Sequence, residues 1–314
     1  MSENKILLSI VTPTFNEEQN IDELYRQVKD VITKIPKYNF EFIVIDNHSS
    51  DGTVRKLKAL AEKDSSLKII INERNFGHIR SPYHGILQSK GSATIYLASD
   101  LQDPPELISQ FIEYWEKGYK LVLGVKPESK TSPILHFVRK FYYRLLRIIS
   151  NVEILNDATG FGIYDKKVLD KLRSLNEPYP FLRGLLSELG YEVKKIPFVQ
   201  PARFKGVTKN NFYTLYDIAI LGIVNHSKTP LRFASLLGFL IGLFSFILAF
   251  IFLILKLIYW EYFPLGFAPL FIGIFFMFGT LLFFIGLLGE YIISIHTYMQ
   301  NRPLVVEKER INFD

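Results

Sequence analysis

Acidic and amide side chains follow an apolar run in the stretch IYLASDLQDPPE, residues 95–106. Asp100, Gln102 and Asp103 offer hard oxygen ligands, and no cluster of histidine or cysteine accompanies them. Such a donor set suits Mg²⁺ or Mn²⁺ and argues against zinc. Mg²⁺ takes one or two carboxylates from a protein and completes its coordination with water and substrate phosphate. The stretch therefore predicts a metal site that a substrate diphosphate completes.

Two further polar segments, TPTFNE at residues 12–17 and DNHSSDG at residues 46–52, also follow apolar runs. Asp46 ends the second of these runs, where its carboxylate can accept hydrogen bonds from a ribose or a uracil. A lone aspartate at such a position is more often a helix cap, and Asp51 before Gly52 fits that simpler interpretation. The joint pattern of three polar segments is what indicates a binding site.

The elements that must position these segments are strands and helices in alternation. Apolar runs predict strands at residues 6–12, 40–46, 67–71, 93–98 and 120–125, and the segments between them, such as residues 17–35, have helical spacing. Alternation of this kind predicts an α/β fold with a mostly parallel sheet and helices on both faces. Ligands of such sheets bind at the carboxyl ends of the strands, where the three polar segments lie. The sequence has no glycine-rich dinucleotide or phosphate loop, which argues against hydride transfer and kinase chemistry.

Composition narrows the class of protein. The chain has 314 residues, 48% of them hydrophobic, with a net charge of +6. It contains no cysteine, which excludes disulfides, thiolate nucleophiles and cysteine-based zinc sites. Basic residues alternate with aromatic and aliphatic ones at residues 133–150, a stretch that either lies on a membrane surface or packs against the domain. Because an apolar tail lies nearby in the sequence, we expect a lipid partner and no nucleic acid.

The tail carries two long uncharged runs, from Phe233 to Leu255 and from Tyr262 to Gly289. Each is long enough for a membrane-spanning helix. Basic residues precede the first run and follow the second, which predicts that both termini face the cytoplasm. The residues that carry this orientation are Lys228, Arg232, Arg302, Lys308 and Arg310.

A family resemblance joins the two parts of the chain. PTFNEEQNI, VIDNHSSDGT, RNFG and SDLQDPPE, in this order, resemble the inverting glycosyltransferases of family 2 with the GT-A fold, and more closely the dolichyl-phosphate mannose synthase-like group. Within that group, SDLQDPPE, the two predicted spans, GEY at residues 289–291 and Arg302-Pro303 are similar to the bacterial polyisoprenyl-phosphate (bactoprenol) glucosyltransferases. The resemblance covers residues 7–304.

The resemblance implies roles for particular residues. It implies that Asp100 and Gln102 hold Mg²⁺ or Mn²⁺, with Asp100 also counted as catalytic, and it assigns the nucleotide-sugar pocket to Pro13, Phe15, Glu17 and Asp46. We add Arg74 of RNFG to this pocket, as a residue expected to shape the nucleotide loop. Asp157 falls where the family has an acidic residue near the acceptor, and acts there either as a base or as a positioning group, unless it only caps a turn. Arg203 and Lys209 match basic positions expected to hold the acceptor phosphate, and we add Lys205 because it lies between them.

Three departures from the family pattern stand out. The first aspartate of the usual Asp-x-Asp is Ala98, with Ser99 in the middle position. The usual Asp-Asp-Gly-Ser is Asp46-Asn47-His48-Ser49, and the usual GDFR-like segment is TGFG at residues 159–162. The loss of one carboxylate bears on metal affinity, although Asp100, Gln102 and a diphosphate still supply oxygens.

The sequence thus predicts an enzyme that transfers a hexose, most simply glucose from UDP-glucose, to polyprenyl phosphate at the inner membrane. We expect a cytoplasmic GT-A domain at residues 1–208, an interfacial helix at 209–230, two transmembrane helices at 231–297 and a cytoplasmic tail at 298–314. Residues 303–313 predict a strand that pairs with another subunit, hence a homo-oligomer. A mannose synthase that uses GDP-mannose, a processive polysaccharide synthase and a degenerate scaffold protein are the alternatives.

Overall fold

The computed structural model describes residues 5–126, 158–201, 229–259 and 267–313. Eight strands form one sheet in the order β7-β5-β6-β4-β1-β2-β3-β8. The strands are β1 Leu7–Thr14, β2 Asn39–Asp46, β3 Leu67–Asn72, β4 Ala93–Tyr96, β5 Leu121–Val125, β6 Ala158–Asp165, β7 Val193–Pro197 and β8 Glu307–Ile311. The helices are α1 Ile21–Ile32, α2 Thr53–Ala61, α3 Gly77–Leu87, α4 Leu107–Glu116, α5 Lys166–Ser174, α6 Leu182–Glu188, α7 Thr229–Ile258 and α8 Phe267–Met299.

The centre of the sheet is parallel. β1 pairs in parallel with β2 and with β4, and β2 pairs in parallel with β3. β6 runs antiparallel between β4 and β5, and β7 is parallel to β5. The prediction of an α/β fold with a mostly parallel sheet is confirmed, and each of the five predicted strands forms.

The central strands are apolar along most of their length because the sheet is covered on both faces. Leu8, Ile10 and Val11 of β1 and Ile43 of β2 are each 0% exposed. Leu8 and Ile10 pack in one core with α1, α2 and α4, and Val11 and Ile43 pack in a second core with α3, α5 and α6. Strands buried on both sides need near-continuous apolar runs, which is the pattern that identified them in the sequence.

Two long helices follow the sheet domain: α7 has 30 residues and α8 has 33. Among the described residues, one stretch, Phe276–Met299 within α8, is by length and composition apolar enough to cross a membrane. The predicted helices at residues 133–150 and 209–227 lie outside the described residues.

The C-terminal strand is confirmed, and it has a partner within the chain that the sequence did not predict. β8 pairs antiparallel with β3 of the same chain, with Ile311 opposite Ile69 and Glu307 opposite Asn72. This pairing uses one of the two hydrogen-bonding edges of β8, which is the last strand of the sheet. The strand therefore forms without a second subunit, the homo-oligomer stays a prediction, and residues 307–311, expected in a separate tail, belong to the sheet.

Candidate active site

Three loops meet at the carboxyl edge of the sheet, because β1, β2 and β4 are adjacent and parallel. Thr14, the last residue of β1, lies opposite Asp46, the last residue of β2. β4 pairs with β1 on its other side, so the chain order reverses between β1 and β4. A crevice at such a reversal is the usual ligand site of an open α/β sheet.

The loops after β1 and β2 are joined by hydrogen bonds in both directions. The amide of Asn16 donates to Ser49 Oγ at 2.8 Å, and the amide of Ser50 donates to Asn16 Oδ1 at 2.8 Å. The amide of Glu17 donates to Thr53 Oγ1 at 2.9 Å. The two loops therefore form one unit whose shape the sequence fixes through short polar side chains.

The buried carboxylate of Asp46 stabilises this pair of loops. Its carboxylate is 0% exposed and accepts hydrogen bonds from the amide and the hydroxyl of Ser49. Burial raises the pKa of Asp46, although the hydrogen bonds from Ser49 act in the opposite direction. The structure thus gives Asp46 a loop-shaping role, and its predicted contact with a nucleotide stays a prediction.

Asn47 connects the same unit to the loop after β3. Its side chain is 7% exposed in total and makes four hydrogen bonds. It donates to Asn75 Oδ1 at 2.8 Å and to the carbonyl oxygen of Gly77 at 3.2 Å, and it accepts from the amide of Phe76 at 2.9 Å and from Asn72 Nδ2 at 3.2 Å. In the sequence, Asn47 stands out only as a departure from a family motif. Its position directly after an apolar strand could have indicated that it belongs to the site.

Each of the three loops contains one residue with a positive φ that is not glycine. These are Asn16 at 54°, His48 at 68° and Leu101 at 59°. Asparagine and histidine adopt this conformation more readily than most residues, whereas for leucine it is a true outlier. Such conformations persist where the surrounding structure enforces them, and they cluster at functional sites.

The predicted metal-binding stretch follows β4 and contains two carboxylates with different environments. Asp103 is 5% exposed, and its Oδ2 accepts a hydrogen bond from the amide of Ala98 at 3.0 Å. Burial raises the pKa of Asp103 to about 6. Asp100 is half-buried, and its Oδ1 accepts from the amide of Gln102 at 3.2 Å. Asp103 therefore holds the loop closed, while Asp100 is the carboxylate of the pair that solvent reaches.

The residues present fit a divalent ion that has few protein ligands. The described part of the chain contains no group of three or more histidine, cysteine, aspartate and glutamate side chains placed to share a metal. Asp100 and Gln102 supply one carboxylate and one amide oxygen, which suits an ion that draws its other ligands from water and a diphosphate. The same donor set does not suit zinc.

The comparisons with known proteins decide the family. The model for glycosyl transferase family 2 matches residues 9–173. The uncharacterized glycosyltransferase YkcC of Bacillus subtilis is 34% identical over 305 residues, which cover 96% of this chain and 93% of that protein. The SfII prophage-derived bactoprenol glucosyl transferase of Shigella flexneri is 31% identical over 304 residues, covering 96% and 97%.

This chain belongs to glycosyl transferase family 2. It is a glycosyltransferase, and the scaffold alternative is set aside. Among solved structures, glucosyl-3-phosphoglycerate synthase of Mycobacterium tuberculosis, in complex with Mn²⁺, UDP and glucosyl-3-phosphoglycerate, matches with a TM-score of 0.49 at 15% identity, over 70% of this chain and 78% of that one. The family assignment rests on the sequence comparisons.

The family 2 residues predicted for the nucleotide pocket lie at this edge of the sheet. Pro13, Phe15 and Glu17 are partly exposed at the end of β1 and in the loop that follows. Arg74 is exposed in the loop after β3, where its guanidinium lies over the ring of Phe76, with the guanidinium carbon 4.1 Å from the ring centroid. The structure therefore brings together every predicted donor and metal residue at one edge. The predicted acceptor-side residues lie outside the described residues: Asp157, Arg203, Lys205 and Lys209.

Proposed function

We propose that this family 2 glycosyltransferase transfers glucose from UDP-glucose to polyprenyl phosphate at the cytoplasmic face of the membrane. Relatives named bactoprenol glucosyl transferase support the proposal, because the similarity extends over 96% of this chain, including the apolar helices as well as the sheet domain. A shared catalytic domain alone would leave the acceptor open. Similarity through the helical tail favours a lipid acceptor.

One observation of the structure carries the proposal: the end of α8 and the donor loops lie at the same edge of the sheet. Because β8 is antiparallel to β3, the segment that links α8 to β8 lies beside the carboxyl end of β3. The amide of Glu73, which follows β3, donates to the carbonyl oxygen of Val306 at 2.9 Å. Near the end of α8, Tyr298 donates its hydroxyl hydrogen to Glu177 Oε2 at 2.5 Å.

A membrane acceptor requires this arrangement. The apolar stretch Phe276–Met299 supports one span, and the uncharged run within α7 supports a second. With two spans and basic residues at both ends of the pair, both termini and the sheet domain are cytoplasmic in our proposal. The donor loops then face the membrane surface where a polyprenyl phosphate presents its headgroup.

The proposed reaction is a single displacement. An oxygen of the lipid phosphate attacks the anomeric carbon of glucose, the bond from that carbon to the UDP oxygen breaks, and the configuration inverts. The second pKa of a phosphate monoester is close to 6, so the attacking group is already mostly dianionic at neutral pH and needs little help from a base. This favours a positioning role over a base role for Asp157, and it assigns Arg203, Lys205 and Lys209 to the lipid phosphate.

Asp100 and Gln102 are the residues proposed to hold Mg²⁺ or Mn²⁺. When bound, the ion supplies positive charge for the leaving diphosphate. Asp103 keeps the loop in position through the Ala98 amide, so that Asp100 is presented at the edge of the crevice. The buried carboxylate of Asp103 and the half-buried carboxylate of Asp100 thus have separate roles.

A donor panel tests the proposal. Membranes that contain the protein are given labelled UDP-glucose or GDP-mannose with a short polyprenyl phosphate, with Mg²⁺, with Mn²⁺ or with a chelator. We expect glucose in the lipid fraction with UDP-glucose, and loss of the signal with chelator. Transfer from GDP-mannose alone would replace the glucose assignment with a mannose synthase, and transfer from neither donor would contradict the lipid acceptor.

A further inference from the structure

Three arginines gather where the chain leaves α8. Arg74 belongs to the loop after β3, Arg80 to α3, and Arg302 follows Met299, the last residue of α8, by three positions. We call these residues the junction arginines. Arg74 and Arg302 are exposed, and Arg80 is half-buried.

One aromatic ring and one carbonyl hold the group together. The guanidinium carbons of Arg74 and Arg80 lie 4.1 Å and 5.4 Å from the centroid of the Phe76 ring, and that ring is buried. Arg80 Nη2 donates to the carbonyl oxygen of Pro303 at 2.5 Å, which places Arg80 next to Arg302 in space. Contact with a shared ring orients the two guanidiniums. Arg74 Nη1 donates to the carbonyl oxygen of Asn75 at 3.1 Å, so each guanidinium uses one of its nitrogens in a hydrogen bond to a carbonyl oxygen.

The positive charge of the group is not neutralised within the part of the chain that the structure describes. None of the three arginines forms an ion pair with a carboxylate there. Glu177, at the same junction, accepts hydrogen bonds from Tyr298 and from the amide of Tyr179. In addition, Arg80 Nε is buried and has no hydrogen-bond partner among the described residues. Burial and the nearby charges of Arg74 and Arg302 lower the pKa of Arg80.

Like charges held together with an unsatisfied buried N–H group are the features of an anion site. Phosphate suits it best, because guanidiniums bind phosphate oxygens through paired hydrogen bonds. We propose that the junction arginines bind the phosphate of an anionic phospholipid headgroup. The inference rests on the proposed membrane-bound function, since it requires that α8 ends at a membrane surface.

The position of Arg302 favours a membrane lipid over the sugar nucleotide. Arg302 and Pro303 come from the segment after α8 and not from the loops after β1, β2 and β4, whereas Arg74 is also one of the residues predicted for the nucleotide pocket. Three residues span at most about 10 Å, so Arg302 lies within that distance, along the chain, of the end of the apolar stretch Phe276–Met299. An anionic leaflet attracts cations only within about a Debye length of its surface, which is a similar distance. A headgroup bound here would fix how the donor loops approach the bilayer.

The test measures lipid binding directly. The full-length protein in a neutral detergent is titrated with a short-chain phosphatidylglycerol, with the matching phosphatidylcholine and with inorganic phosphate. Arg302→Gln removes one cation that forms no ion pair with the described residues. Lys63→Gln is the matched control, because Lys63 is exposed just after α2, at the opposite edge of the sheet.

We expect Arg302→Gln to weaken phosphatidylglycerol binding about ten-fold, the effect of losing one charge-assisted contact. Arg302→Lys should lose less, and Lys63→Gln nothing. Phosphatidylcholine, whose choline offsets the phosphate charge, should bind more weakly than phosphatidylglycerol to the unmodified protein. The unfolding temperature of each variant without lipid checks that the fold is kept.

Three results would overturn the inference. Equal phosphatidylglycerol affinity in all variants would show that the junction arginines do not bind it. Inorganic phosphate binding as tightly as the lipid would assign the group to a soluble anion. A raised KM for UDP-glucose with unchanged lipid affinity would assign it to the donor pocket. Because phosphatidylglycerol binding is measured without turnover, it can be interpreted even if the glucosyl transfer assay fails.

Discussion

Replacing Asn47 with alanine should loosen the donor loops more than any other single polar substitution in this unit. The side chain makes four hydrogen bonds. Two of the four partners, the Phe76 amide and Asn72 Nδ2, belong to buried residues. Asn72 Nδ2 keeps its second bond to Ser81 Oγ at 2.9 Å, whereas the Phe76 amide has no second hydrogen-bond partner among the residues that the structure describes.

The magnitude follows from these partners. The two bonds to buried groups contribute about 1 kcal/mol each, and leaving the Phe76 amide unsatisfied costs about 1 kcal/mol more, which together give about 3 kcal/mol. A domain of 150–250 residues loses about 2–4 °C of unfolding temperature for each kcal/mol, so we expect a decrease of about 6–12 °C. Because the loops after β2 and β3 are held by this side chain, the KM for the sugar nucleotide should rise several-fold.

The assay compares the unfolding temperature in detergent with donor KM for Asn47→Ala and for a control, Asn75→Ala. Asn75 is exposed, and its Oδ1 accepts one of the four bonds of Asn47 and a bond from the Gly77 amide at 2.7 Å. Because neither bond joins two buried groups, the loss of Asn75 should cost about 1 kcal/mol, less than the loss of Asn47. If Asn47→Ala unfolds within 1 °C of the unmodified protein, with an unchanged KM, the structural role given to Asn47 is wrong.

Three further outcomes are expected. Asp100→Asn should lower metal-dependent turnover about a hundred-fold or more, measured as labelled glucose in lipid; an unchanged rate would contradict the metal assignment. Burial lowers the pKa of His84 below its usual 6.5, so the folded state resists protonation and loses stability as pH falls below about 6.5. His84→Gln should therefore flatten the decline in unfolding temperature between about pH 7 and pH 5, and an unaltered slope would refute this. Gly162→Ala would place Cβ 2.2 Å from the carbonyl oxygen of Val122 and should cost about 3 kcal/mol; a variant of normal stability would contradict the close strand packing.

The sheet was predictable because burial on both faces imposes a pattern that survives in the sequence. The runs at residues 40–46 and 67–71 are mostly apolar, with Glu41 and Lys68 as the charged residues inside them, and both form strands that end where polar residues begin. The convergence of the polar segments then follows from parallel topology alone. The predicted reaction came from the residues that match the family motifs, because the periodicity of apolar residues carries no information about chemistry.

The sequence does not show which residues come into contact when they are far apart along the chain. β8 was predicted as a strand, but its partner depends on which sheet edge lies within reach of the chain after α8. Asn47 appears as one more polar loop residue until the structure brings Asn72 and Phe76 against it. Asp100 and Asp103 are equivalent carboxylates in the sequence, and only burial separates them, with Asp103 5% exposed.

The positive-φ residues show the same limit. Leucine rarely adopts a left-handed backbone, so the sequence gives no sign of the positive φ of Leu101. Its φ of 59° is set by the turn between Asp100 and the buried Asp103. His48 stands where the family usually has glycine, the residue type that adopts a positive φ most readily. A conformation enforced by its surroundings can be read only when those surroundings are known.

The most direct measurement is the structure of the product made by the purified protein from UDP-glucose and a short polyprenyl phosphate. We expect one glucose joined to the lipid phosphate, with its anomeric configuration opposite to that in UDP-glucose by nuclear magnetic resonance. Release of free glucose and UDP without glycolipid, or a product that retains the donor configuration, would contradict the proposed displacement at the membrane surface.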